Sequence, residues 1–235
     1  MYYLCLSKFS KAMMEVKFSD EIVRHCPGIQ VGLVSARVVN SATSDELWGE
    51  IENASASIAA SYELLAVNQR PAIAATRRLY KALGKDPGRY RVASEQLCRR
   101  IIKGLGLYRL TSLIDVVNLV SLVSGYPISG LDADKIVGPT IEMGVGRARE
   151  LYHGIGRGEL NIEGMPVWRD AQGGIATPTS DEERTKFTLD TTHVQICING
   201  FGEEMPMQET VDWMVQLLEK YAHATDIDKC VVMSP

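Results

Sequence analysis

SLIDVVNLVSLVSGYPISGLDADKI, residues 112–136, decides how the chain is read. A helix is predicted from about Ser112 to Ser124, and Gly125 with Pro127 forces the chain out of helical geometry. Val116, Val117, Val120 and Val123 fill the core-directed side, whereas Asp115 and Asn118, three residues apart, share another face. A carboxylate beside an amide suits a polar ligand. Asp115 equally suits the first turn, where negative charge favours the helix dipole, and Asn118 equally suits a cap on a neighbouring loop. Asp132 and Asp134 follow on the returning loop, either as functional carboxylates or as caps of the next element.

Upstream, Glu15 to Phe18 and Gly28 to Asn40 read as strands, with Pro27-Gly28 between them. A long helix follows, opened by the capping box TSDE from Thr43 to Glu46, with Leu47, Ile51, Ala54, Ile58, Tyr62 and Leu65 as its buried stripe. Pro71 starts a second helix that Gly84 ends. A third begins at Ser94, taken as its N-cap, in SEQLCRRIIKGLG (94–106). Beyond Gly138 frequent glycines permit only short strands, of which Val167-Trp168 and His193 to Ile198 are the best candidates. The repeated G-x-G of residues 144–158 lacks both a preceding strand and a GK[ST], so it does not read as a phosphate loop. A helix over about Thr210 to Tyr221 buries Val211, Met214, Leu217, Leu218 and Tyr221, and CVVM (230–233) can add an edge strand.

Across 235 residues, 46% hydrophobic and 23% charged, the chain can bury a full core, and no linker divides it. Its 25 basic and 29 acidic residues, net charge -4, argue against sequence-independent adhesion to a polyanion. Any nucleic-acid contact must then be local: Arg77, Arg78 and Lys81 on one helix, or Arg99, Arg100 and Lys103 on the next, each of which also reads as a solvated helix face. Five widely spaced cysteines without a CxxC pair give neither a disulfide framework nor a zinc site, which fits a cytoplasmic protein, and four scattered histidines add no metal motif. No cofactor is expected. The first residues contain no stretch long enough for a spanning helix, so no membrane partner is expected. Met14 opens a more typical start, MEVKFSDEI, so residues 1–13 are expected to be a non-native extension and 14–235 a single domain.

Read together, SEQLCRRIIKGLG, the 112–136 stretch and DEERTKFTLDTTHVQICIN (181–199) resemble the B3/4 domain of the phenylalanyl-tRNA synthetase beta chain. The likeness rests on Ser94-Glu95 with Arg99-Arg100, Ile114-Asp115 with Asn118, Pro127, Asp132-Ala133-Asp134-Lys135-Ile136, and Glu183-Arg184-Thr185 with Thr188 and Thr191. It covers about residues 90–200 in the family's order. A serine stands at 129, where synthetases usually have a histidine.

The resemblance implies an α+β fold, a B3/4-type domain whose mixed or antiparallel sheet core is flanked by helices. It implies a pocket between the Asp115–Asn118 helix, the Ser129–Asp134 loop and the Glu182–Thr191 segment. Asn118, Glu182, Glu183 and Thr191 would be catalytic; Asp115, Ser129, Gly130, Asp132, Arg184 and Thr185 would bind substrate; Arg99, Arg100 and Lys103 would meet RNA. The function implied is that of a free-standing domain binding tRNA or an aminoacyl moiety and hydrolysing mischarged aminoacyl-tRNA. An aminoacyl ester is already a good electrophile, so a positioned water and polar groups around the oxyanion suffice without metal or covalent nucleophile. The partners would be tRNA, aminoacyl-tRNA or a small aromatic amino acid. The class II synthetase motifs are missing, so the chain is not a synthetase by itself. Two alternatives stay open: a non-catalytic RNA or amino-acid binding module, and a hydrolase of an unrelated small molecule.

Overall fold

A computed structural model describes residues 14–235, and the expectation about residues 1–13 lies outside the described residues. The elements run β1 (Glu15–Phe18), α1 (Asp20–His25), β2 (Gln30–Arg37), α2 (Asp45–Ser61), α3 (Pro71–Ala82), α4 (Ala93–Ile102), α5 (Ser112–Ser124) and β3 (Ile128–Asp132). They continue as β4 (Thr140–Val145), β5 (His153–Gly154), β6 (Gly158–Glu159), β7 (Pro166–Arg169), β8 (Gly174–Ala176), β9 (His193–Gly200), α6 (Met207–Ala222) and β10 (Thr225–Met233).

The central sheet has the order β10-β2-β9-β3 and is antiparallel throughout. A second sheet, β1-β4-β7-β8, is mixed, because β1 and β4 run parallel. The fold is α+β, with mixed and antiparallel sheets and helices on the flank. Alternation along β2 and β9 builds three layers. Val34, Ala36, Val194, Ile196 and Ile198 face the helices, meeting Leu47 of α2, Val116 and Val120 of α5, and Val211 and Met214 of α6. Val31, Leu33 and Cys197 face the second sheet, meeting Val16, Ile141, Met143, Trp168 and Ile175. Covered on both faces, β2 reads as a nearly continuous apolar run. Gly32 lets α6 approach, since a Cβ there would lie 2.4 Å from Val211.

α5 is the central helix. Gly125 ends it in the left-handed region at φ 76°, and Arg70, almost wholly buried, donates to its last carbonyls, Leu122 O at 2.7 Å and Val123 O at 2.8 Å. Glu204 pairs with the same guanidinium at 2.7 Å, so the cation that caps the helix is itself neutralised.

Three expectations change. The α2 cap is Ser44, which accepts from Leu47 N at 3.2 Å, because Thr43 instead donates to Asp115 at 2.5 Å. The cap of α4 is Val92, two residues before Ser94, which places Ser94 inside the helix. Leu65 falls beyond α2 and is exposed, as is much of Val123, at the last turn of α5. The short α1, capped by Ser19, was not expected. Cys26, Cys98 and Cys197 are free thiols, and Cys230 on β10 is disulfide-bonded. No helix among the described residues is long and apolar enough to cross a membrane.

Candidate functional site

β3 is an edge strand, so one side of it carries backbone groups that the sheet leaves unpaired. The segment after β8 covers that side. Asp181 accepts from Gly130 N at 3.0 Å, and Phe187 packs its ring on Gly130, where a Cβ would come within 2.5 Å of the ring edge. Between this segment, β3, the start of α4 and the outward flank of α5 lies a cavity of about 420 Å³. Ile114, Val117, Ile128 and Phe187 make its apolar walls, with Leu110 and Ile155 among the lining residues. Asn118, Ser180, Asp181 and Lys186 bring polar groups to it. A mostly apolar hollow with a few convergent polar groups is the usual form of a small-ligand site, and this volume suits one side chain of amino-acid size.

Asp181 is the chemically distinctive group. Burial pushes its pKa up to about 7, although the Gly130 N–H and the Ser129 hydroxyl both favour the carboxylate. Desolvation by the protein packed around the half-buried carboxyl group at the cavity wall outweighs both bonds. Asn118 is half-buried and its amide has no hydrogen-bond partner among the described residues, which leaves two donors and an acceptor for an occupant. Lys186 pairs with Glu183.

Of the residues singled out in the sequence, Asn118 and Gly130 line the cavity. Ser129 is fully buried and acts on it through Asp181. The others hold the walls. Asp115, buried at the first turn of α5, accepts from Thr43 and from Leu110 N at 2.9 Å. Burial raises its pKa, with those hydrogen bonds opposing. Asp132 accepts from Thr191 at 2.9 Å and pairs with Lys135 at 3.0 Å, which ties the 188–191 turn to the end of β3. Glu182 accepts from Arg184 N at 2.6 Å, capping a 3-10 turn over Glu183–Thr185. Glu183 accepts from Gly156 N at 3.2 Å, and its pKa is lowered chiefly by its bond to Lys186. Arg184 forks onto Asp170 at 2.9 and 3.0 Å, and Thr185 is buried against Ile175 O.

Asp181, Lys186 and Phe187 escaped the sequence reading. In DEER the first carboxylate, not the second or third, lies at the cavity. The phase is set by the bridges that pair Ala176 with Asp181 and Gly154 with Glu182, which no local pattern reveals.

The basic trio divides. Arg99 is committed to the buried Glu95 at 2.7 Å and to Leu64 O at 3.1 Å. Arg77 reaches the same carboxylate at 2.8 Å. Arg100 stacks on the Tyr108 ring at 3.9 Å, and Lys103 is exposed at the end of α4.

The B3/4 domain family model matches residues 75–227, well over half of the chain and all of the 90–200 segment. No curated protein matches the sequence. Among solved structures, an N-terminal fragment of the phenylalanyl-tRNA synthetase beta-subunit from Pyrococcus horikoshii superposes with a TM-score of 0.48 at 15% identity. The alignment covers 96% of the present chain and 55% of that one, so the chain spans about half of the fragment's length.

Proposed function

The chain belongs to the B3/4 domain family, and on that premise we propose that the cavity beside α5 and β3 binds the aminoacyl moiety of an aminoacyl-tRNA, and that Asn118 and Asp181 act on it. An aromatic side chain stacks on Phe187 between Ile114, Val117 and Ile128, with its polar end at Asp181. An occupant without a hydroxyl there leaves a buried carboxyl group unmatched, which is a strong basis for discrimination. Asn118 holds the carbonyl or the amino group. The observation that carries this reading is a carboxyl group titrating near neutrality on the wall of an apolar cavity of side-chain size.

Hydrolysis of a mischarged ester is the finer form of the proposal. A group with a pKa near 7 is well matched to taking a proton from water at physiological pH, and the ester needs little further activation. Exposed Lys103, with half-buried Arg100 beside it, offers positive charge to an RNA strand. A chain of net charge -4 leaves that contribution local and salt-sensitive.

The test is a filter-binding titration with tyrosyl-tRNA run beside a measurement of ester lifetime. Saturable binding weakened about tenfold or more by Asn118→Ala and by Asp181→Asn is expected, together with shortened ester lifetime in the unaltered protein. Binding with unchanged lifetime would leave a non-catalytic module. Absence of any binding to tRNA, tyrosyl-tRNA or tyrosine would overturn both forms.

A further inference from the structure

On the opposite face of the central sheet a second hollow, of about 360 Å³, opens where the seam between the two sheets stops being apolar. The inward row of β2 runs Val31, Leu33, Ser35, and that of β9 runs Cys197, Gln195, His193. Both rows are core as far as Leu33 and Cys197 and polar beyond. Ser35 and His193 are diagonal neighbours across the antiparallel pair, near enough for long side chains to meet. The Ser35 hydroxyl lies 3.1 Å from His193 Nε2, and His193 Nδ1 lies 3.2 Å from the Asp134 carboxylate on the turn after β3. Ser35, His193 and Asp134 all line the hollow.

The partners of the ring suit one tautomer of the neutral imidazole. An ionised carboxylate only accepts, so Nδ1 carries the hydrogen and donates to Asp134. The neutral ring then has its lone pair at Nε2, where the serine hydroxyl donates. This tautomer is the one in which imidazole can take a proton from a serine nucleophile, with the aspartate orienting the ring and stabilising its charged form. Arg37 lines the same hollow, 3.7 Å from Asp134 through one guanidinium nitrogen, and is half exposed.

We propose that Ser35, His193 and Asp134 form a second site, a nucleophile, base and orienter that cleave small acyl esters through an acyl-serine. Ser35 Oγ bonds the carbonyl carbon as its proton passes to His193 Nε2, and the carbonyl electron pair moves onto oxygen beside the Arg37 guanidinium. Collapse of that intermediate breaks the bond to the alkoxy group, which leaves as the alcohol with the proton from His193. Water then attacks the acyl-serine and gives a proton to His193, which returns it to Ser35 Oγ as the carboxylic acid departs. The hollow has room for a small acyl group, and among the described residues it is where buried Ser35 meets the outside. The site shares no residue with the cavity at Asp181, so it stands or falls independently of the aminoacyl reading.

The experiment combines covalent labelling with ester turnover. The full chain is incubated with a small fluorophosphonate, the modified residue is located by peptide mass mapping, and hydrolysis of p-nitrophenyl acetate is followed. Labelling at Ser35 and turnover that falls about 10³-fold in Ser35→Ala and His193→Gln are expected. His193→Gln keeps a hydrogen-bonding group between Ser35 and Asp134, so a folded but unlabelled variant separates chemistry from stability. Asp134→Asn is expected to lower turnover about 100-fold while Ser35 still labels slowly. No label on Ser35, or turnover unchanged in folded Ser35→Ala or His193→Gln, would overturn the proposal.

Discussion

Asp181 carries a carboxyl group that folding makes harder to ionise, and this has a thermodynamic consequence with a definite sign. Its pKa rises from an ordinary 3.8 to about 7, so between those values the folded chain binds more protons than the unfolded one. Stability from this group is complete at acid pH and is lost as pH climbs through about 7, a change of up to about 4 kcal/mol. Asp181→Asn keeps an acceptor for Gly130 N–H and removes the titration. Urea midpoints at pH 5 and pH 8 should therefore show the variant gaining on the parent by a few kcal/mol at the higher pH. Parallel profiles would contradict the burial argument. Sequence alone names three consecutive acidic positions here, and only the strand pairing chooses among them. Asn118 was legible because helical spacing is short-range: three residues from Asp115 it must share a face, although Asp115 itself turns out to bind Thr43 and Leu110.

At the scale of elements, α5 was legible from end to end, since a nearly uniform apolar run closed by Gly-Tyr-Pro has few other readings. What holds its end was not, because Arg70 and Glu204 are separated by 134 residues. Arg70 is almost fully buried, so loss of Glu204 leaves a buried charge without its counter-charge. Glu204→Ala should cost about 3–5 kcal/mol in thermal or denaturant unfolding, whereas Lys220→Ala, on an exposed ion-pair partner of Glu46 and Glu50, should cost less than about 1 kcal/mol. Equal effects would mean that the buried pair is not the cap described. The misplaced cap of α2 has a related cause. Ser, Thr, Asp and Asn compete for the same backbone donors, and a distant carboxylate, Asp115, decides that Thr43 is occupied elsewhere.

Over the whole molecule, the layers were legible as apolar runs, but the sharing of faces was not. β2 reads as one apolar stretch, and nothing local says that Leu33 meets the second sheet while Val34 meets the helices. The two sheets are joined by a polar link in this interior, Trp168 Nε1 to Asn199 Oδ1 at 2.8 Å. Asn199→Leu should cost about 1–3 kcal/mol, because the indole N–H loses its partner. A shift in tryptophan fluorescence should accompany it, and an unchanged spectrum with unchanged stability would show the link to be dispensable.

The order β10-β2-β9-β3 also sets a schedule for synthesis. Val34 is made long before Ile196, the residue it pairs with, and β10, the other neighbour of its strand, follows β9 in the chain. Until β9 is made, β2 is therefore an apolar ribbon with both edges open, the kind of segment that joins wrong partners while it waits. Such long-range pairing slows folding relative to a helical bundle built on local contacts. The nascent chain is at its most aggregation-prone just before β9 emerges.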